Sequence, residues 1–195
     1  MQKYKAFILY GAPGCGKGTQ GRALGALPGY YYCGCGEVFR AMCSAGALGK
    51  TVTEYSSRGE LVPDSITIEL WKKYIDNCVE NGLFVPEKDI LILDGIPRNR
   101  TQAMMLQETI CVRAFFNMYF KDHTELVVRI GRRARREKRP DDMNEEVIRN
   151  RLNIFEQTSK QLLDFYGPEL VCVVNSQNRP TEVLHDILEH MRRLL

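Results

Sequence analysis

The stretch from Lys5 to Gln20, KAFILYGAPGCGKGTQ, leaves this chain the fewest options. A short apolar run, Ala6 to Tyr10, breaks into a loop with glycines at 11, 14, 16 and 18 and closes on Lys17 and Thr19. Such a run reads as a buried strand, and the residues after the loop open a helix whose positive end faces the loop. Backbone N–H groups turned inward there form a phosphate cradle, with Lys17 able to reach β- and γ-phosphate oxygens. The pattern is G-x-x-G-x-G-K-G-T, in which Gly18 separates Lys17 from Thr19 where Ser or Thr commonly follows the lysine directly.

Onward from the loop, apolar runs alternate with amphipathic helical patterns, the signature of a parallel sheet wrapped by helices in an α/β fold. Strands are expected at Ala6–Tyr10, Tyr30–Cys33, Asp89–Asp94, Ala114–Phe120 and Val171–Asn175. One helix follows the loop, another starts behind Asp64 as its cap, and a third covers Thr101–Ile110. From Asn144 to Tyr166, the residues Ile148, Leu152, Phe155, Leu162 and Tyr166 share a face. Pro180 opens a C-terminal helix in which the spacing of Val183, Leu184, Ile187, Leu188, Met191 and Leu195 fits packing on the sheet. At 195 residues, with no repeat or low-complexity linker, the chain suits one domain that buries about 70% of its unfolded surface.

Lys and Arg number 27 against 24 Asp and Glu, a net charge of +3 that does not by itself argue for nucleic acid or a membrane surface. Seven cysteines, at 15, 33, 35, 43, 78, 111 and 172, lack the paired spacing of a zinc site and are expected to be reduced thiols. Neither a signal-peptide pattern nor 18 consecutive apolar residues occurs, so cytoplasmic residence is expected.

Two further constellations carry chemistry. ILILDGIPRNRTQA, Ile90 to Ala103, runs from a buried strand into Asp94, Gly95, Pro97 and Arg98. Ligands of parallel sheets sit at strand carboxyl ends, so Asp94 is placed to hold water ligands of a magnesium ion and Arg98 to grip a second phosphate. The amide of Gln102 can pair with an adenine edge, although a lone helical Gln is more often solvated. The second constellation is Arg129 to Arg139, where seven of eleven residues are basic. Arg129 and Arg133 share a helix face, whereas Arg135, Arg136 and Lys138 are expected to face solvent. A solvated face or an RNA-binding surface are the competing explanations of that run.

Taken together, the motifs resemble the adenylate kinase branch of the nucleoside monophosphate kinases over nearly the whole chain. GAPGCGKGTQ is similar to its phosphate loop, and GEVFR, ending in Arg40, to the start of its monophosphate-binding insert. GELVPD (Gly59–Asp64), LDGIPRNRTQA, and RPDD followed by EEVIRNRL follow in the family's order. The resemblance implies a five-stranded parallel sheet, a monophosphate-binding insert at about residues 34–63 and a short lid at about 130–142. It implies that Gly14, Cys15, Gly16, Lys17, Gly18 and Thr19 bind ATP, with Arg129 and Arg132 or Arg133. On the acceptor side it implies Cys35, Arg40, Glu60, Leu61, Val62, Gly95, Arg98, Gln102, Arg139 and Arg151. Lys17, Arg98, Arg129, Arg139 and Arg151 would serve catalysis, with Mg2+ reached by Asp94 through water. The partners implied are ATP, AMP and product ADP, acting on a monomer, with neither nucleic acid nor membrane.

The sequence departs from the family's pattern in places. R-x-x-G-R before the lid is one residue shorter, which leaves both Arg132 and Arg133 as candidates. Ser-Thr-Gly-Asp is replaced by Gly34-Cys35-Gly36-Glu37, so a weak thiol donor stands where a hydroxyl would read the base. Gln102 favours AMP, while Asn99 is similar to the pyrimidine branch and keeps a UMP/CMP kinase as the alternative; Met143 adds a residue after the aspartate pair. The short lid contains no cysteine, so the zinc-bearing lid of some relatives is not expected. A nucleotide-dependent RNA-binding or assembly factor is the alternative of another class. No general base is required, because a nucleoside monophosphate is largely dianionic at neutral pH, with its second pKa about 6, so His123, His185 and His190 need no catalytic role.

Overall fold

The structure, a computed structural model, describes residues 3–42, 46–137 and 144–194. Five strands form one parallel sheet: β1 (Tyr4–Tyr10), β2 (Tyr30–Gly34), β3 (Ile90–Asp94), β4 (Ile110–Tyr119) and β5 (Val171–Asn175), in the order β2-β3-β1-β4-β5. Helices α1 (Lys17–Gly25), α2 (Cys35–Met42), α3 (Gly46–Ser57), α4 (Asp64–Glu80), α5 (Arg100–Leu106), α6 (His123–Glu137), α7 (Glu145–Tyr166) and α8 (Pro180–Leu194) make the connections.

Alternation along β1 decides which helices cover which face. Ala6, Ile8 and Tyr10 join Leu91, Leu93 and Phe115 in one cluster with Trp71 and Ile75 of α4, Leu106 of α5, and Leu162 and Tyr166 of α7. Phe7 and Leu9 point the other way, into a second cluster with Leu24 of α1, Leu126 and Ile130 of α6, and Ile187 and Met191 of α8. A strand covered on both faces in this way reads as a continuous apolar run, which is why β1 and β3 stand out in the sequence.

Three expectations are corrected. The third helix ends at Leu106 rather than Ile110, and β4 begins at Ile110 instead of Ala114. Tyr4 pairs with Ile110 and Ala6 with Val112, but Phe7 pairs with Ala114, so Arg113 is an extra residue in the ladder. That bulge breaks the period-two pattern and hides the strand's first half. Asp64, expected to cap α4, is instead its first helical residue; Pro63 takes the cap position and the Asp64 carboxylate makes no capping bond.

Helix α1 carries an uncommon load of glycine. Gly18, Gly21 and Gly25 occupy one face, and the Tyr32 side chain lies along it. An interior glycine costs a helix about 1 kcal/mol relative to alanine, and here the missing side chains make room for the ring.

The expected insert at 34–63 comprises α2, α3 and the loop to Pro63, and a small apolar cluster of Val52, Val62 and Leu70 seats it on α4. The first residues of the expected lid, 130–137, continue α6 without a break. Its remainder, with Lys138, Arg139, Asp141, Asp142 and the neighbouring Met143, lies outside the described residues, as does Cys43.

Candidate active site

A cleft of about 1500 Å3 opens above the carboxyl ends of β1 and β3. The sheet register sets Leu9 of β1 beside Asp94 of β3, so the loop leaving one strand and the acid ending the other meet at the same place.

The loop's shape follows from its glycines. Gly14 and Gly16 have φ of 83° and 106°, the left-handed region where a side chain is strained. Gly16 is the N-cap of α1 and supplies no side-chain acceptor, which leaves the first N–H groups of the helix to an anion. Lys17 Nζ folds back over the loop, donating to the carbonyls of Gly11 at 2.8 Å and Ala12 at 3.0 Å, with Cys15 Sγ at 3.8 Å. Lys17, Gly18 and Thr19 line the cleft, as do Gly14, Cys15 and Gly16.

Arginines enter from several elements. Arg40 of α2, Arg98 after β3 and Arg151 of α7 line the cleft, together with Glu60, Leu61, Val62 and Gly95. Arg98 Nε donates to the Gly95 carbonyl at 2.8 Å, and Arg151 Nη2 to the Ser56 carbonyl at 3.3 Å. From α6, Arg129 and Arg133 line the cleft and Arg132 does not. Arg129 pairs with Glu125 at 2.7 Å and lies over the Phe120 ring at 4.5 Å. Arg136 faces solvent as expected, with 78% of its side chain exposed, and it also borders the cleft, because positions 129, 133 and 136 recur on one helical face. Arg139 lies outside the described residues.

The acceptor-base residues stand further back. Gln102 is only 1% exposed and is absent from the cleft lining. Its Nε2 donates to Asp64 Oδ1 at 2.8 Å and its Oε1 accepts the Arg98 backbone N–H at 2.8 Å. Cys35 is buried at the start of α2, also off the lining. Burial pushes its thiol pKa up, against the opposing pull of Arg98 and with a further push from Asp94. Cys35, implied for the acceptor side, thus stands back from the cleft, and burial suppresses the thiolate that would react.

Asp94 Oδ2 accepts the Tyr32 hydroxyl at 2.9 Å. Tyr32 lines the cleft, as do Phe39, Val52 and Phe155, and none of these four was singled out for the site from sequence. Tyr32 had a signal: in the run Tyr30-Tyr31-Tyr32, alternation places Tyr30 and Tyr32 on the α1 side of the sheet, opposite a helix rich in glycine. Thr19 and Asp94 contribute hard oxygen donors, which suit magnesium retaining part of its water shell. Among the described residues no group of three or more His, Cys, Asp or Glu side chains forms a metal cage, so such an ion would draw its remaining ligands from phosphate and water.

Comparison with known proteins agrees with this geometry. The family model described as adenylate kinase matches residues 9–170. An adenylate kinase of Thermobifida fusca is 36% identical over 164 residues, covering 82% of either chain. One of Bacteroides thetaiotaomicron is 34% identical over 167 residues, covering 83% of this chain and 84% of that one. One of a Synechococcus strain is 32% identical over 194 residues, covering 96% and 94%. With a phosphate loop, an arginine-lined cleft and the five-stranded parallel sheet that the resemblance implies, the chain belongs to the adenylate kinase family.

Proposed function

We infer that the protein transfers the γ-phosphoryl group of ATP to AMP, reversibly, giving two ADP. The observation that carries this reading is the continuity of the cleft: Lys17 at the phosphate loop and Arg40, Arg98 and Arg151 beyond it line the same cavity. Two nucleotide tails can meet there end to end.

The chemistry asks for position and positive charge rather than for a base. AMP reaches the site largely as a dianion, and its approach to ATP is opposed by charge repulsion. In this reading the loop N–H groups and Lys17 hold the donor phosphates, Arg40, Arg98 and Arg151 hold the acceptor phosphate, and Arg129 and Arg133 reach the group in transit. Arg139 belongs to the same set by resemblance. Magnesium carried with ATP would supply charge neutralisation at the phosphates, and Thr19 and Asp94 are the residues that would hold it, Asp94 through water. Residues 34–63 act as the monophosphate-binding insert and 130–142 as the lid, whose closure excludes water that would otherwise take the phosphoryl group. Action as a monomer is part of the same reading. Cytoplasmic residence completes the reading, supported by the free thiols of the six cysteines among the described residues.

An acceptor panel tests it. With saturating MgATP, AMP should yield two ADP per ATP consumed and outrun CMP and UMP. Faster turnover with CMP or UMP would move the acceptor assignment to the pyrimidine branch, and no ADP from any acceptor would remove it altogether.

A further inference from the structure

Tyr32 lies outside every motif that the sequence singles out, yet the fold makes specific room for it. Methyl groups placed on Gly21 or Gly25 of α1 would overlap its side chain, and one on Gly34 would stand 2.5 Å from its hydroxyl oxygen. A methyl on Gly18, inside the phosphate loop, would touch both that oxygen and Asp94 Oδ2, at 3.5 and 3.4 Å. Glycines from two elements thus channel the ring toward one acceptor, Asp94 Oδ2 at 2.9 Å. Arg22 pairs with Glu37 at 3.2 Å. An ionised carboxylate only accepts hydrogen bonds, so the Tyr32 hydroxyl is the donor in its bond to Asp94.

We propose that Tyr32 is a positioning residue for Asp94: its hydroxyl fixes one carboxylate oxygen so that the other serves the water shell of ATP-bound magnesium. The proposal rests on the reading of Asp94 as the water-mediated magnesium contact. A carboxylate free to rotate would meet the metal's waters in many orientations and lose much of its selectivity for the metal-bound nucleotide; a partner that holds one oxygen removes that freedom. Tyr32 touches neither nucleotide nor metal in this scheme and acts through Asp94 alone.

The test is the equilibrium preference of the full chain for MgATP over ATP, measured calorimetrically as the ratio of dissociation constants in EDTA and in saturating magnesium. Tyr32→Phe keeps the ring and removes only the oxygen, and should lower that ratio about tenfold. The EDTA constant should stay within roughly twofold of the original, and the melting temperature without nucleotide should report a folded protein. Gly34→Ala keeps the hydroxyl but crowds it, and should give the same loss; it carries the test if Tyr32→Phe fails to fold. Asp94→Asn, measured alongside, should abolish the preference. If Asp94→Asn leaves the ratio intact, the magnesium reading of Asp94 falls and this proposal with it. If Asp94→Asn abolishes the ratio while Tyr32→Phe and Gly34→Ala preserve it, the proposal alone is overturned and Tyr32 is packing.

Discussion

Gln102 Nε2 donates to Asp64 Oδ1 at 2.8 Å, and this bond ties the first turn of α5 to the first residue of α4. Asn99 closes the ring: its Nδ2 donates to the same oxygen at 2.9 Å, and its Oδ1 caps α5 by accepting the Gln102 N–H at 2.8 Å. The Gln102 carbonyl meanwhile holds the Arg98 backbone. Replacing Gln102 by Leu leaves the Arg98 N–H unpaired and takes a donor from Asp64, with an expected stability loss of about 1–3 kcal/mol. Urea unfolding measures it. Because Arg98 hangs on that carbonyl, KM for AMP should also rise while KM for ATP stays near its original value; equal rises in both would show that the ring does not serve the acceptor side.

Lys17→Met addresses the donor phosphates. Among the described residues its Nζ bonds only to loop carbonyls and the Cys15 sulfur, so the sheet and its two apolar clusters do not depend on it. Loss of a charged donor aimed at transferring phosphate should cut kcat by about 10²–10³-fold, with an unchanged melting transition. ADP formation near the original rate would take Lys17 out of the reaction.

Arg132 and Arg133 are neighbours in sequence with opposite surroundings: Arg133 lines the cleft and Arg132 is exposed elsewhere on α6. Arg133→Ala should lower kcat at least about tenfold, as removal of a charge-assisted contact implies. Arg132→Ala should leave it within about twofold, the range of a surface substitution. Steady-state turnover of the two variants, run side by side, distinguishes them.

The parts of this molecule legible in its sequence are those where one local pattern matches one environment. β1 and β3, buried on both faces, show as unbroken apolar runs, and α8 shows its Pro180 start and its buried Val183, Ile187 and Met191. The first half of β4 was not legible because the bulge at Arg113 breaks its alternation. The arginines of the cleft were legible as residues but not as directions, since helical phase decides whether Arg132, Arg133 or Arg136 faces inward, and the short R-x-x-G-R segment leaves that phase open. Asp64 shows the other limit. As an acidic residue at a helix start it reads as a cap, whereas its use by Gln102 and Asn99 depends on contacts 38 and 35 residues away.

Thiol chemistry should separate the cysteines by burial. Burial pushes the pKa of Cys33 and Cys35 up, and a raised pKa lowers the thiolate fraction at any pH below it, which is the species that reacts. Cys111 is exposed on β4. Brief alkylation of the native protein at neutral pH, followed by peptide mass analysis, should modify Cys111 and leave Cys33 and Cys35 untouched until denaturant is added. Early labelling of Cys35 would mean that the start of α2 opens.

Two glycine-to-alanine changes in helices of this protein should have opposite signs. A helix interior ordinarily gains about 0.5–1 kcal/mol from such a change. Among the described residues nothing lies where a methyl on Gly131 in α6 would go, so Gly131→Ala should stabilise by about that amount. Gly21 in α1 offers no such space, because the Tyr32 ring occupies it while the hydroxyl is held by Asp94 and the ring is hemmed in at Gly25 and Gly34. Overpacking of this kind typically costs 1–3 kcal/mol, which outweighs the propensity gain, and Gly21→Ala should destabilise by about 1–2 kcal/mol. Urea midpoints of the two variants read the signs directly; an upward shift for both would mean that the Tyr32 ring moves aside without cost and that the glycine face of α1 is not shaped around it.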